Sequence, residues 1–250
     1  MYRKNRVVAV VRARMNSAGL FGSVLMPLAE RPVLWHVIRR LRSLPLIDEI
    51  VVATGRCRED DGVASFVEEL GDPVVRLFRG PEEDVLERYY LALSEEPPDV
   101  VADVRGGAPL VCISYLMEMI CHLIEGELDG VVARGDRSGL TSGFEADVLD
   151  YQALVDAHLL AADSRERREA SLFIRRRPQA FRLGIVEPEP ELCSDFRLAL
   201  EYSEDYLLLR ELYDELYQPG EVVGCRQALE WLRSRPEVAR VNGHCGEMPA

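Results

Sequence analysis

The sequence predicts an α/β fold: a mainly parallel, doubly wound sheet flanked by helices. Short runs rich in valine and isoleucine alternate with amphipathic helical stretches through the first half of the chain. The first run, Val7–Val11, is followed by a loop of small residues that opens toward a helical pattern, an arrangement that brings backbone N–H groups against phosphates. At 250 residues, of which 48% are apolar, the chain is long enough to bury one sizeable core.

The elements follow in order. Strand Val7–Val11 precedes helix Pro32–Leu44, and strand Glu49–Thr54 precedes helix Asp60–Leu70. Strand Val74–Phe78 leads to helix Glu82–Ser94, whose Pro81-Glu-Glu-Asp start reads as an acidic first turn suited to the helix dipole. Val85, Leu86, Tyr89 and Tyr90 have core-facing spacing. Strand Val100–Val104, helix Ile113–Glu125 and strand Gly130–Ala133 complete the alternation. Sheets of this kind bind ligands at the carboxyl ends of their strands, so the candidate loops are Arg12–Gly22, Thr54–Asp60, Arg79–Glu83 and Arg105–Pro109.

After Gly135 the rhythm changes. A polar loop spans 136–143, and Phe144–Leu149 reads as a strand. Helices are expected at Tyr151–Ala161 and Arg165–Arg176, and strands at Phe181–Val186 and Phe196–Leu200. Pro188-Glu-Pro190 marks a turn, and helices Glu204–Leu216 and Arg226–Arg233 follow. No internal repeat or long linker divides the chain.

The net charge of −13, with no basic block, argues against nucleic acid and against a polybasic membrane anchor. Lys4 is the only lysine, so the first loop has Arg12 and Arg14 as its cations. Cys57, Cys112, Cys121, Cys193, Cys225 and Cys245 form no CxxC pair or zinc-finger spacing, and read as free thiols of a reducing compartment. No apolar leader precedes the first strand and no run reaches membrane-spanning length, so the expected location is the cytoplasm. His36, beside Trp35, reads as a packed histidine, and His122, His158 and His244 suggest no triad. Arg165, Arg167 and Arg168 are candidates for an anionic sugar or a partner subunit, while Arg175, Arg176 and Arg177 suit a helix C-terminus.

Several segments, in order, carry a resemblance. They are Ala13-Arg-Met with Ser17, Leu20 and Gly22–Leu25; Ile47–Thr54; Phe78-Arg-Gly-x-Glu-Glu-Asp-Val-Leu-x-Arg-Tyr-Tyr90; Pro109-Leu110; Ile174-Arg175; and the tail Arg235–His244. Over essentially its whole length the chain resembles the SpsF-like spore-coat polysaccharide cytidylyltransferases, relatives of the acylneuraminate cytidylyltransferases. The resemblance implies a nucleotide-diphospho-sugar transferase-like (GT-A/Rossmann-like) sheet. It also implies a small arm over 136–190 that builds a homodimer. The implied chemistry is attack of a sugar or sugar-acid hydroxyl on the α-phosphate of CTP, with Mg²⁺ on the triphosphate and pyrophosphate leaving. By the same resemblance Arg12, Ala13, Arg14, Asn16, Ser17 and Gly22 would hold nucleotide phosphates, with Arg14 the candidate catalytic cation. Arg79, Gly80, Glu82 and Asp84 would line a base pocket, and Glu201 and Asp147 would be the carboxylates left for a metal.

The chain also departs from the family pattern. The loop reads Ala13-Arg-Met-Asn-Ser-Ala-Gly-Leu-Phe-Gly-Ser23, with Gly19 where the template has its second arginine and Ser23 where it has lysine. Ala18 stands where the acylneuraminate branch has a lysine, and Phe21 replaces a proline. The expected metal aspartate is Gly107, a second aspartate is Cys112, and a histidine position is Glu169. Asp103, upstream of Gly107, reads as a solvated strand residue or an ion-pair partner of Arg105. Three readings follow. One is a catalytically degraded copy kept for nucleotide binding or scaffolding. Another is an active Mg²⁺ enzyme in which Asp147, Glu201 and Asp103 carry the metal. The third is a non-binding partner subunit of an active paralogue.

Overall fold

The computed structural model describes residues 5–16, 19–132 and 139–245. Ser17, Ala18, Ala133 and residues 136–138 of the polar loop lie outside them. The chain runs through β1 (Val7–Arg12), a ribbon of β2 (Pro27–Leu28) and β3 (Arg31–Pro32), α1 (Val33–Arg42), β4 (Glu49–Gly55), α2 (Asp61–Leu70), β5 (Val75–Gly80), α3 (Val85–Leu93), β6 (Val100–Arg105) and α4 (Ile113–Gly126). Then come β7 (Gly130–Val131), β8 (Asp147–Asp150), α5 (Tyr151–Leu160), α6 (Ser164–Arg167), α7 (Leu172–Arg175), β9 (Leu183–Gly184), α8 (Ser203–Leu216), α9 (Cys225–Arg233) and α10 (Pro236–Ala239).

Among the described residues seven strands form one sheet, in the order β5-β4-β1-β6-β8-β7-β9. β5, β4, β1 and β6 are parallel. Residues Val7–Val11 of β1 are buried on both faces, as a strand covered by helices on either side must be. Val7, Ala9 and Val11 join the core beneath α1, α4, α8 and α9, and Val8 and Val10 join a second core beneath α3 and α5. The parallel register brings Arg12, Gly55, Gly80 and Arg105 to one rim, at the carboxyl ends of their strands.

The sheet is mainly parallel, as expected, with β8 entering antiparallel between β6 and β7. An apolar run shows that a segment is a strand but not which way it runs, because side-chain alternation is the same in both directions. Two expectations are corrected. The helix expected over Arg165–Arg176 breaks into α6 and α7, because the intervening turn buries Ala170 and presents Ser171 to Asp147. Phe196–Leu200 is not a strand of the sheet. Leu198 N–H donates to Ser142 O and Leu200 N–H to Gly107 O, so its backbone groups are divided between two loops. Of the segment 136–190, β8 lies inside the sheet and α5 packs against α3.

Candidate functional site

The loop after β1 is held from below by one carboxylate. Asp60, fully buried just before α2, accepts from Met15 N–H at 2.7 Å and Gly55 N–H at 2.9 Å. Its Oδ2 lies 3.5 Å from Arg14 Nε. One side chain thus fastens the loops after β1 and β4 to each other. Gly22 N–H closes the first loop onto Met15 O at 2.7 Å with φ +71°.

The residues expected to line a base pocket do meet. Arg14 donates to the Glu82 carbonyl at 2.6 Å and lies 3.3 Å from the Glu83 carboxylate. Burial works against the Arg14 charge, but Glu83 and Asp60 outweigh it and hold the pKa above its ordinary value. The Glu82 carboxylate accepts from Arg56 N–H at 2.7 Å and Cys57 N–H at 2.9 Å, and these bonds, Arg56 first, lower its pKa. Arg79 donates to Gly55 O at 2.9 Å and Cys57 O at 2.8 Å. A Cβ at Gly80 would lie 2.7 Å from the Phe78 ring and 2.8 Å from Arg88 Cγ, so glycine is required for that packing. Arg88, fully buried below, donates to Glu82 O at 2.9 Å. The acidic first turn expected at Pro81–Asp84 is instead a loop. Asp84 is the N-cap of α3, accepting from Glu87 N–H at 2.9 Å, and its other oxygen takes Arg167.

Arg12 faces away from this rim. Its Nε lies 3.0 Å from Asp103 Oδ1, which also accepts from Tyr89 Oη at 2.6 Å. Burial opposes the Arg12 charge, but Asp103 and, less strongly, Tyr89, Glu169 and Asp147 outweigh it and raise its pKa. Asp103 is therefore buried and paired with Arg12; the expected solvated residue or Arg105 partner is corrected. Strand alternation explains it, since Asp103 stands beside Val10 and two residues along β1 lies Arg12, on the same face. Arg105 instead turns to Glu145 at 3.2 Å and Glu201 at 3.3 Å.

The carboxylates left for a metal are engaged elsewhere. Glu201 Oε1 takes Arg105, and Oε2 takes Arg197 at 2.6 Å. Asp147 accepts from Ser171 Oγ at 2.5 Å. The Gly107 backbone is outside the left-handed region, and a Cβ there would come 3.2 Å from Leu200 O, so a side chain needs only a small shift. Glycine is thus not dictated by sterics at the position where the resemblance places a metal aspartate. Among the described residues no three His, Cys, Asp or Glu side chains gather in a metal-holding group. Mg²⁺ at nucleotide sites is held by one or two carboxylates together with substrate phosphates and waters. Here the expected aspartate is Gly107, and both Glu201 oxygens are paired with arginines, so this chain supplies little of the protein side of such a site.

Of the remaining positions, Asn16 is exposed on the loop, Ser23 is buried in the turn that follows, and Phe21 is 59% exposed. Arg175 pairs with Glu169, and Arg176 and Arg177 pair with Glu166. His36 is packed, as expected: it is buried, and its Nε2–H donates to Leu28 O at 2.8 Å. Sequence reasoning missed Asp60, Glu145 and Arg197. The first is hidden at a helix start, and the others become visible only when distant loops meet.

The cytidylyltransferase family model matches residues 8–218. An uncharacterised protein of Methanocaldococcus jannaschii is 28% identical over 242 residues, covering 96% of this chain and 95% of that protein. The spore coat polysaccharide biosynthesis protein SpsF of Bacillus subtilis is 26% identical, covering 94% of this chain and 97% of its own length. Among solved structures, a cytidylyltransferase from Leptospira borgpetersenii superposes with a TM-score of 0.86 at 19% identity, covering 98% of this chain and 100% of that one. A CMP:2-keto-3-deoxy-manno-octonic acid synthetase complexed with CTP superposes with a TM-score of 0.62 at 16% identity, covering 84% and 99%. With the family model spanning most of the sheet and its helices, the chain belongs to the cytidylyltransferase family.

Proposed function

We propose that this chain is a nucleotide-binding member of its family in which metal-dependent cytidylyl transfer has been lost, retained as a binding or scaffold protein in surface-glycan or sugar-nucleotide synthesis. The observation that carries the reading is the pairing of both Glu201 oxygens with Arg105 and Arg197, beside a Gly107 that has no carboxylate to offer. Transition-state stabilisation by a lost charged contact is worth on the order of 10²–10³ in rate, so losing several leaves turnover near background. The rim of Arg14, Arg79, Gly80 and Glu82 is assembled, and it supports retention of a base pocket. SpsF supports the polysaccharide context, and the CTP-bound synthetase supports CTP as the first nucleotide to try.

Calorimetric titration with CTP, in Mg²⁺ and again in EDTA, with pyrophosphate release followed in parallel, tests this. The expected result is binding of equal strength in both buffers and release at background. Mg²⁺-dependent release at ordinary enzyme rates would sink the reading in favour of an active enzyme. For that version, unchanged turnover in Glu201→Gln would remove any metal role for Glu201. Silence with every nucleoside triphosphate would leave the partner-subunit reading. A homodimer built on 136–190 belongs to the same proposal: Leu159 and Leu160, 70% and 66% exposed, end α5 within that segment. Light scattering at the monomer mass would count against it.

A further inference from the structure

We propose that the Arg105 guanidinium is the resident cation of the rim: it fills, between Glu145 and Glu201, a place that takes a divalent ion only when the arginine is removed. This rests on the reading that metal-dependent transfer is lost, and adds that the place of the metal is filled from within the chain.

Three segments contribute. Arg105 ends β6, Glu145 precedes β8, and Glu201 precedes α8. One terminal nitrogen of the guanidinium donates to Glu201 Oε1 at 3.3 Å, and the other donates to Glu145 Oε2 at 3.2 Å. The two carboxylates therefore sit on neighbouring prongs of one fork. Both are half-buried, their side chains 23% and 22% exposed for Glu145 and Glu201. Half-buried carboxylates from different loops repel one another unless a cation lies between them. Here that cation is a side chain, so it is held in place whatever the metal concentration.

Each carboxylate is also fixed from behind. Glu145 Oε2 accepts from Gly143 N–H at 2.6 Å. Glu201 Oε2 takes Arg197 at 2.6 Å, and Arg197 Nε lies 3.0 Å from the fully buried Asp205. Asp205 in turn accepts the N–H groups of Glu201 and Tyr202, both at 2.9 Å, and the Asn242 amide at 2.8 Å. The Glu201 carbonyl accepts Leu20 N–H at 2.8 Å, which hangs the loop after β1 on the same residue. Contacts other than Arg105 thus place the oxygens, and they stay in place when the arginine is gone.

Charge decides what then enters. Glu145, Glu201 and Asp205 carry three negative charges against two positive ones on Arg105 and Arg197. Without Arg105, three negative charges face one positive charge. Mg²⁺ and Mn²⁺ bind one or two carboxylates and complete their shells with water. While Arg105 is present, its N–H donors cover the carboxylate lone pairs and its charge repels a second cation.

Manganese binding to the whole chain tests this, followed by loss of the free Mn²⁺ signal in electron paramagnetic resonance, with no nucleotide present. Wild type, Arg105→Ala and Arg105→Ala/Glu145→Gln are compared. The Arg105 side chain is 41% exposed, so truncating it leaves no sealed cavity, and Arg105→Gln serves where Arg105→Ala folds poorly. Arg105→Ala is expected to take up Mn²⁺ about tenfold or more tightly than the wild type, because a unit charge has left contact distance. Mg²⁺ displaces that Mn²⁺, and the double variant loses it. In EDTA the urea midpoint of Arg105→Ala falls and Mn²⁺ restores it, while the wild-type midpoint is the same in both. If neither Arg105 variant takes up more Mn²⁺ than the wild type, Arg105 replaces nothing and the proposal is overturned, with the loss of transfer left standing. If the wild type itself binds Mn²⁺ and Glu201→Gln abolishes it, the site holds a metal with the arginine in place, and the reading of lost transfer falls too.

Discussion

A carboxylate without solvent contact has to find its hydrogen-bond partners inside the protein, and Asp60 finds them in two loops. It accepts the N–H groups of Met15 and Gly55 and faces Arg14. Removing one member of a buried, hydrogen-bonded charge group strands the others, at a cost of about 3 kcal/mol or more. Asp60→Ala is therefore expected to lower the urea midpoint by an amount equivalent to about 3 kcal/mol. Asp60→Asn should cost less, because its amide oxygen still satisfies one of the two N–H donors. Equal losses in the two variants would mean that charge, and not the hydrogen bonds, fastens the loops. Arg12 shows how strand alternation sets the direction of a side chain. The chain places it in the loop that the resemblance assigns to phosphates, yet its guanidinium turns to Asp103 and Tyr89 on the opposite face. Strand alternation makes that direction predictable once Arg12 is counted as the last residue of β1 rather than the first of the loop.

At the scale of elements, the signals that were legible are local ones. Strands β1, β4 and β6 and helices α1, α2 and α4 fall within two residues of the bounds expected from apolar periodicity. What failed depends on distant groups. Helix α3 starts at Val85 and not at Glu82 because the Glu82 carboxylate bonds Arg56 and Cys57 across the rim, leaving Asp84 to cap. The loop after β1 behaves the same way. Gly19 stands where the family template carries an arginine, and its backbone explains the change. It has φ +112°, and a Cβ would lie 2.4 Å from Glu201 O, the carbonyl that accepts from Leu20 N–H. Restoring the arginine therefore strains the loop backbone against Glu201. Both Gly19→Arg and Gly19→Ala are expected to destabilise by roughly 2 kcal/mol, through backbone strain and the clash. Chemical denaturation of the two variants checks this, and a near-neutral Gly19→Ala would show that the loop moves off Glu201 at little cost.

The whole molecule is joined through α1, whose His36 sits where the β2 ribbon meets the C-terminal helix α8. Its Nε2–H donates to Leu28 O, and its ring lies 4.5 Å from that of Tyr213 and 5.3 Å from that of Tyr217. Burial is the main force on its pKa, and with Arg40 and Arg31 it outweighs the Leu28 hydrogen bond, taking the value from 6.5 down to about 4. The folded protein thus keeps the ring neutral through a range in which the unfolded chain protonates it. Between pH 6.5 and 4 the unfolded state binds the extra proton, so stability present above pH 6.5 is lost as the pH falls toward 4. One pKa unit is worth 1.36 kcal/mol, so the full contribution is about 3 kcal/mol. Carboxylates across the protein titrate in part of the same window, so the informative quantity is a difference between two proteins. His36→Gln keeps an amide donor for Leu28 but has no ring to protonate. Its urea-derived stability is expected to fall less steeply than the wild type from pH 6.5 to 4.5, with the two curves parallel above pH 7. Curves that stay parallel throughout would mean that the histidine is protonated in the folded state and that the seam between the sheet and its C-terminal helices tolerates a charge.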